Sequence, residues 1–158
     1  KDHPDVLLAV AKRWLKESPS TARLLKHACR TLLKKGDQRA LGLFGLTAVA
    51  HAKVTDLALT RRRIPIGGAV EFTFTVRVDG KKPADLRIEY AIDFLKSGGS
   101  HGRKVFKITE RSFAGAETLV RRHRVHDMTT RVHVPGRHHL HVILNGVPLA
   151  SAEFELTR

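Results

Sequence analysis

Basic side chains surround a glycine-containing loop in the middle of the chain. Paired glycines allow a ligand to approach the backbone closely, and clustered cations bind the phosphates of a nucleic acid. We therefore interpret the loop and the strand that follows it as a phosphate-contact site. The residues predicted to form this contact are Lys96, Ser97, Gly98, His101, Arg103, Lys104 and Lys107.

A second set of cations repeats at helical spacing near the N-terminus. Arg23, His27, Arg30 and Lys34 stand at i, i+4, i+7 and i+11, which places them along one side of a helix. Such a stripe either holds a phosphate backbone or is an ordinary solvated helix face. The chain has 29 Lys and Arg against 15 Asp and Glu, a formal charge of +14. This charge favours the first interpretation, with nucleic acid ahead of acidic membranes and acidic proteins as the partner.

Histidines are concentrated in the last third of the chain, with six between His123 and His141. His139 and His141 fall on one face of a strand, but no acid or cysteine completes a ligand set at a recognisable spacing. We interpret these histidines as surface imidazoles that assist an anion site, or as simple composition. The sequence predicts no metal and no cofactor.

Two carboxylates are the nearest approach to a catalytic pair. Glu89 and Asp93 stand four residues apart on one predicted strand face, where ordinary surface charge is the favoured interpretation because each has basic neighbours. The chain contains neither HExxH nor GxSxG, and no helix start follows Gly98 to make a nucleotide-binding loop. The sequence therefore predicts no catalytic residue.

Residues 1–46 are predicted to form helices. Val6, Val10 and Trp14 repeat at i, i+4 and i+8, with Leu7 and Ala11 beside them. We therefore expect Trp14 to pack in a core rather than to stack on a base. In the second helix the predicted apolar face consists of Leu24, Leu25, Ala28, Cys29, Leu32 and Leu33. Gly36 and Asp37 are then suited to end that helix and to begin a short third one. One such repeat buries its apolar face poorly, so these helices either pack on the following domain or belong to a longer solenoid, and we favour the second interpretation.

From about His51 the hydrophobic period changes from 3.6 to 2, which is typical of strands. The central segment from Leu86 to Phe94 alternates apolar and polar residues, which predicts one face in a core and one in water. A bulge is expected near Thr55, and Asn145-Gly146 predicts a tight hairpin turn. The fold class is therefore α+β: a short N-terminal helical repeat, residues 1–46, followed by an all-β immunoglobulin-like sandwich of about seven strands, residues 47–158.

Composition also indicates whether the chain spans a membrane and in which redox compartment it is found. No apolar run approaches the roughly 20 residues that a membrane-spanning helix needs. Cys29 is the only cysteine, which excludes an internal disulfide and a cysteine-based zinc site. We therefore expect a cytoplasmic protein in a reducing compartment.

Two segments, RLLKHACRTLLKKGDQRALGLFG and EYAIDFLKSGG…RKVFKI, resemble the C-terminal part of AlkC-type DNA alkylation-repair glycosylases. The resemblance implies HEAT-like helical repeats joined to an immunoglobulin-like domain. It also implies excision of alkylated bases such as 3-methyladenine from double-stranded DNA, without a metal or an organic cofactor. The catalytic carboxylates of the family lie on earlier repeats, which are expected to be missing here. By the same resemblance, His27 and Arg30 are expected to face DNA.

Three functions remain open from the sequence. The first is the DNA-binding C-terminal region of an alkylpurine glycosylase, which contacts phosphates without reading sequence. The second is an immunoglobulin-like adaptor for an acidic protein or polyanion, and the third is a self-contained enzyme. The first requires a single positive surface that spans the helices and the sandwich. The oligomeric state is not determined by the sequence.

Overall fold

The computed structural model describes residues 3–48, 50–129 and 132–158. Within these ranges the helices come first and the strands follow, which confirms the predicted α+β order. The helices are α1 (Pro4–Trp14), α2 (Pro19–Ala28), α3 (Arg30–Lys34) and α4 (Gln38–Leu43). The strands are β1 (Ala52–Leu59), β2 (Arg63–Pro65), β3 (Ala69–Val78), β4 (Ala84–Leu95), β5 (His101–Phe113), β6 (Gly115–Arg124), β7 (Gly136–Leu144) and β8 (Val147–Thr157).

Local sequence sets where the helices begin and end. A proline occupies the start of α1 and of α2, where its missing N–H costs no hydrogen bond. The Ser18 hydroxyl accepts a hydrogen bond from the Thr21 N–H at 3.1 Å, which caps α2. As predicted, Gly36 ends α3 in the left-handed region, at φ 72°, and the Asp37 carboxylate caps α4 by accepting from the Ala40 N–H.

The predicted apolar side of α1 is only partly correct, since Leu7 and Ala11 pack in the helical core but the stripe beside them does not. Val6, Val10 and Trp14 are 63%, 36% and 45% exposed, whereas Leu8 and Ala11 are buried. The period is helical as expected, but the helix presents its neighbouring stripe to α2 and α4. Trp14 therefore does not pack in the core.

The second predicted helix is divided at Cys29 into α2 and α3. Leu25, Cys29 and Leu33 are buried as predicted, but Leu24 is 72% exposed and Ala28 is also exposed. The apolar face is thus narrower than the sequence suggested, because a small bundle of short helices can cover only one stripe.

The strands form two sheets that pack face to face. One sheet has the order β1-β3-β6 and the other β2-β8-β7-β4-β5, with antiparallel pairing except between β2 and β8. Buried residues of the two inner faces form one hydrophobic cluster, and the helices enclose a separate one. No helix in the described ranges is long and apolar enough to cross a bilayer.

The strand count is eight in the described ranges, against about seven predicted. The additional strand is β2, which falls where the sequence predicts a connection, through residues 61–63 and 65–68. Three residues are too few to show a period, and Ile64 is the one member of β2 that is buried. The predicted bulge in β1 is confirmed, since its register with β3 shifts between Thr55 and Ala58.

The central strand β4 is buried on both faces, which corrects the prediction that one face meets water. Its inner face is as predicted: Leu86, Ile88, Tyr90, Ile92 and Phe94 are all buried. On the other face Arg87, Glu89 and Ala91 are also buried, and Asp93 is half-buried. The helices and the side chains of β5 and β7 cover this face, which the alternation of β4 alone cannot reveal.

Candidate nucleic-acid interface

A groove runs between the end of α3 and the outer face of the five-stranded sheet, and it encloses about 500 Å³. Four cations from both parts of the chain line it, namely Lys34, Lys35, Arg103 and Lys104. Of the described residues along the groove, Glu89 alone is acidic. The groove is therefore a positive surface that spans the helical repeat and the sandwich.

Two structural features bring these cations together. Lys34 is the last residue of α3, and the chain then turns at Gly36, which lies against Gly146 of the sandwich. On the other side, β5 pairs with β4 along its length, with Arg103 opposite Asp93. The helix stripe and the loop-strand segment, which the sequence predicted separately, thus meet at Lys34, Arg103 and Lys104.

Arg103 is held in place by an acid. Its Nε and Nη2 donate to the two carboxylate oxygens of Asp93, both at 2.7 Å, and His141 donates from Nε2 to the same carboxylate at 3.0 Å. The hydrogen bond from Arg103 lowers the pKa of Asp93, against the opposing effect of burial. This pairing leaves Nη1 of Arg103 for a ligand, and the side chain remains 46% exposed. Asp93 therefore orients Arg103 while reducing its effective charge.

The predicted glycine loop borders a second groove of about 550 Å³. Lys96, Ser97 and Lys104 line it together with apolar residues that include Phe94. The Lys96 side chain lies against Gly102, where an added Cβ would approach Lys96 Cε to 2.6 Å. Because Lys104 borders both grooves, the cations of the loop continue those of the first groove.

The remaining predicted contact residues lie outside the two grooves. Gly98 is exposed in the loop, Lys107 is exposed on β5, and His101 bonds through Nε2 with the Arg137 carbonyl at 3.1 Å. Arg23, His27 and Arg30 are exposed on α2 and α3. The break at Cys29 divides the predicted stripe, so that only its last member reaches the first groove.

Sequence reasoning missed a network of charges buried beneath the helices. Lys26 of α2 forms a salt bridge with Glu110 of β5, Glu110 accepts from Arg87 Nη1 at 3.0 Å, and Arg87 Nη2 donates to Glu89 at 2.7 Å. Burial alone would raise the pKa of Glu110, but Lys26 and Arg87 together hold it below its usual range. The network joins the helices to the sheet and neutralises the acid nearest the groove.

One sequence signal does point to this network. Lys26 stands three residues before Cys29 and seven before Leu33, so it shares the buried side of the helix with them. A lysine on a buried stripe requires an acid from elsewhere in the fold. Glu89 gave no such signal, and its interpretation as ordinary surface charge is wrong because it is 1% exposed.

Two histidines that were interpreted as surface imidazoles are in fact buried. His133 is 7% exposed, and its ring bonds with Asp127 at 3.1 Å. His138 is fully buried: its Nδ1 accepts from the Leu95 N–H at 3.1 Å and its Nε2 donates to the Val134 carbonyl at 3.0 Å. Burial lowers the pKa of His138, so the neutral ring anchors the end of β4 beside the glycine loop. In the part of the chain that the structure describes, no group of three potential ligands could hold a metal.

A protein-family model matches most of the sandwich. The model of a family described as "Uncharacterised protein YhaZ, C-terminal Ig-like domain" matches residues 53–158. The chain belongs to this family. It is 44% identical to the protein YhaZ of Bacillus subtilis (strain 168), over 99% of this chain and 44% of that protein.

Among solved structures, the chain is similar to an alkylpurine DNA glycosylase AlkC of Pseudomonas fluorescens, bound to DNA containing an abasic site analog. The two share 42% identity and a TM-score of 0.94, over 99% of this chain and 44% of the glycosylase. The predicted resemblance to the C-terminal part of AlkC-type proteins is confirmed. A β-glucosidase of Listeria innocua, 13% identical with a TM-score of 0.52 over 68% of this chain, shares the fold alone. The chain thus spans less than half the length of the two relatives at high identity.

Proposed function

We propose that this chain is the DNA-binding C-terminal region of an alkylpurine DNA glycosylase. The observation that carries the proposal is the cationic groove, which is built from α3 on one side and β5 on the other. The similarity to a glycosylase that was captured on DNA supports the same conclusion. Action on chromosomal DNA would also place the protein in the cytoplasm, which fits its single cysteine.

The groove is suited to phosphates rather than to bases. No aromatic side chain is among the described residues that line it, so nothing there would stack on an unpaired base. Lys34, Lys35 and Lys104 provide ammonium groups that make no ion pair with the described acids, and Arg103 offers its Nη1, which makes no hydrogen bond to a described residue. These groups bind a double-stranded DNA backbone without reading its sequence.

Excision of an alkylated purine such as 3-methyladenine would then depend on helical repeats that precede this chain. The exposed stripe Val6, Val10 and Trp14 of α1 offers those repeats an apolar surface. A groove of about 740 Å³ beside α1, bordered by Leu7 and Leu32, offers another. The upstream repeats would supply the catalytic carboxylate, while the residues of this chain would hold the duplex near the lesion.

Fluorescence anisotropy with a random-sequence duplex tests the proposal. The logarithm of the binding constant should fall linearly with the logarithm of salt concentration, with a slope of about −0.9 for each phosphate engaged. An affinity that barely changes between low and moderate salt would contradict the proposal. Equal affinity for heparin and duplex, together with a tight acidic protein partner, would favour an adaptor instead. Release of methylated bases by this chain alone would identify a self-contained enzyme.

A further inference from the structure

Two glycines touch where the helices meet the sandwich. A Cβ added at Gly36 would lie 2.9 Å from the carbonyl oxygen of Gly146, and one added at Gly146 would lie 2.9 Å from the Gly36 Cα. The Gly146 Cβ would also lie 2.6 Å from Leu41 of α4. Real Cβ atoms do not approach other atoms so closely, so a side chain at either position forces the backbones apart.

Asn145 locks this contact from the sandwich side. Its Oδ1 accepts from the Arg87 N–H at 2.7 Å, and its Nδ2 donates to the carbonyls of Thr47 and Asp85 at 2.7 and 3.0 Å. Asn145 is 1% exposed and adopts φ 45°, a left-handed conformation that asparagine tolerates. The side chain therefore ties the β7–β8 turn to β4 and to the segment that follows the helices.

The same contact lies beside the cationic groove. Gly36 and Gly146 both line it, between Lys34 and Lys35 on the helix side and the sheet on the other. The separation of the two backbones at this point sets how far the helix lysines stand from Arg103 across the groove. A turn that sequence analysis identified only as a hairpin connection thus also spaces two sets of cations.

We propose that Gly36, Asn145 and Gly146 are positioning residues that set the width of the DNA groove. The proposal rests on the proposed function. It states that these three residues keep the two sides of the groove at a distance that lets both contact one phosphate backbone. Phosphate spacing along a strand is fixed, so a groove held open by one added methyl group would lose contacts on one side. Each lost contact lowers affinity about eightfold at 0.1 M salt and reduces the salt slope by about 0.9.

Gly36→Ala and Gly45→Ala make a matched pair for the test. Both glycines follow a helix and both have φ 72°, so both substitutions carry the same backbone strain. No described atom lies within 4 Å of a Cβ at Gly45, whereas the Cβ at Gly36 meets the Gly146 carbonyl. Duplex binding by the whole chain would be measured by anisotropy across a salt series, on samples whose folding is verified by circular dichroism.

A distance measurement distinguishes positioning from simple destabilisation. Spin labels at Gly42→Cys on α4 and Ser151→Cys on β8 report the gap between the helices and the sheet, and the buried Cys29 is shielded from labelling. Gly36→Ala should lengthen this distance and weaken duplex binding about eightfold, with a shallower salt slope. Gly45→Ala should leave both unchanged.

Asn145→Gly provides the second variant if Gly36→Ala does not fold. It permits the left-handed conformation but deletes the side-chain bonds to β4 and Thr47, so it should broaden the distance distribution and reduce the salt slope. Equal affinity and slope in Gly36→Ala and Gly45→Ala would overturn the positioning role while leaving the proposed function intact. Failure of the unmodified chain to bind duplex would overturn the proposed function itself.

Discussion

At the scale of single residues, the cations of the groove differ in effective charge and in orientation, according to whether an acid pairs with them. Lys34 and Lys104 have no acidic partner in the described ranges and so keep their full charge, although Lys104 stands opposite Ile92, on the other face of β5 from Arg103. Arg103 shares its charge with Asp93 through two hydrogen bonds but gains a fixed orientation from them. A fixed guanidinium loses less conformational entropy when it binds a phosphate. We therefore expect the lysines to provide attraction and Arg103 to provide geometry.

Asp93→Asn is predicted to reduce stability near neutral pH by about 1 kcal/mol, because two charge-assisted hydrogen bonds on a half-buried acid are weakened. The folded-state pKa of Asp93 is lowered, so its contribution is present above the ordinary value of about 3.9. That contribution is lost as the pH falls through the lowered pKa. Urea unfolding at a series of pH values should show less acid sensitivity in the variant.

Asp85→Asn is the matched control, because Asp85 lies on the same strand but is exposed and its carboxylate has no described partner. We expect its unfolding curve to follow that of the unmodified chain between pH 3 and 7 to within about 0.5 kcal/mol. A loss of stability as large as that of Asp93→Asn would show that the pairing with Arg103 contributes nothing.

At the scale of elements, β4 connects the helices to the sandwich. Its outer face bears Arg87 and Glu89 beneath α2, where they form part of the network completed by Lys26 and Glu110. Arg87 Nε has no hydrogen-bond partner among the residues that the structure describes, so the guanidinium depends on its two acids. Buried charges of this kind are costly when a partner is removed.

Glu89→Gln should therefore destabilise the chain by about 3 kcal/mol, since it leaves a buried guanidinium with one acid instead of two. Thermal or urea unfolding would measure the loss. Glu153→Gln removes an exposed acid that pairs at 3.8 Å with Arg137, and it should cost less than about 1 kcal/mol. If the two variants unfold alike, the network does not hold the helices to the sheet.

Elements with a clear period were predictable from the sequence, and elements defined by their neighbours were not. The alternation from Val70 to Val78 fixed the inner face of β3, and all five apolar residues of that face are buried. Asn145-Gly146 likewise predicted the hairpin turn. By contrast, β2 exists because β8 offers it a parallel edge, and Trp14 is exposed because the other helices face a different stripe. Both outcomes depend on tertiary contacts that no local pattern encodes.

The same distinction applies to the candidate site. Charge and glycine content identified Lys96, Lys104 and Lys34 as candidate residues, but they could not indicate that α3 ends opposite β5. The contact of Gly36 with Gly146 joins two distant segments, and each glycine is already accounted for locally, by a helix end or by a hairpin turn. The pairing of Arg103 with Asp93 depends on strand register, which periodicity alone leaves open.

At the scale of the whole molecule, the central claim is that the helices and the sandwich bind one DNA backbone together. The net charge of +14 makes some affinity for polyanions unavoidable, so binding alone is a weak test. The informative quantity is the salt slope, because it counts phosphates engaged rather than overall attraction. Replacing one lysine on each side of the groove distinguishes phosphate contact within the groove from the attraction that the net charge of the whole chain exerts.

The most direct measurement is the salt slope of duplex binding for Lys34→Ala, Lys104→Ala and the double variant. A second double variant, Lys81→Ala with Lys82→Ala, removes the same charge from the exposed β3–β4 turn and is the control. We predict that each groove substitution reduces the magnitude of the slope by about 0.9 and that both together reduce it by about 1.8, while the control leaves it unchanged. A groove double variant that behaves like the control would contradict the account.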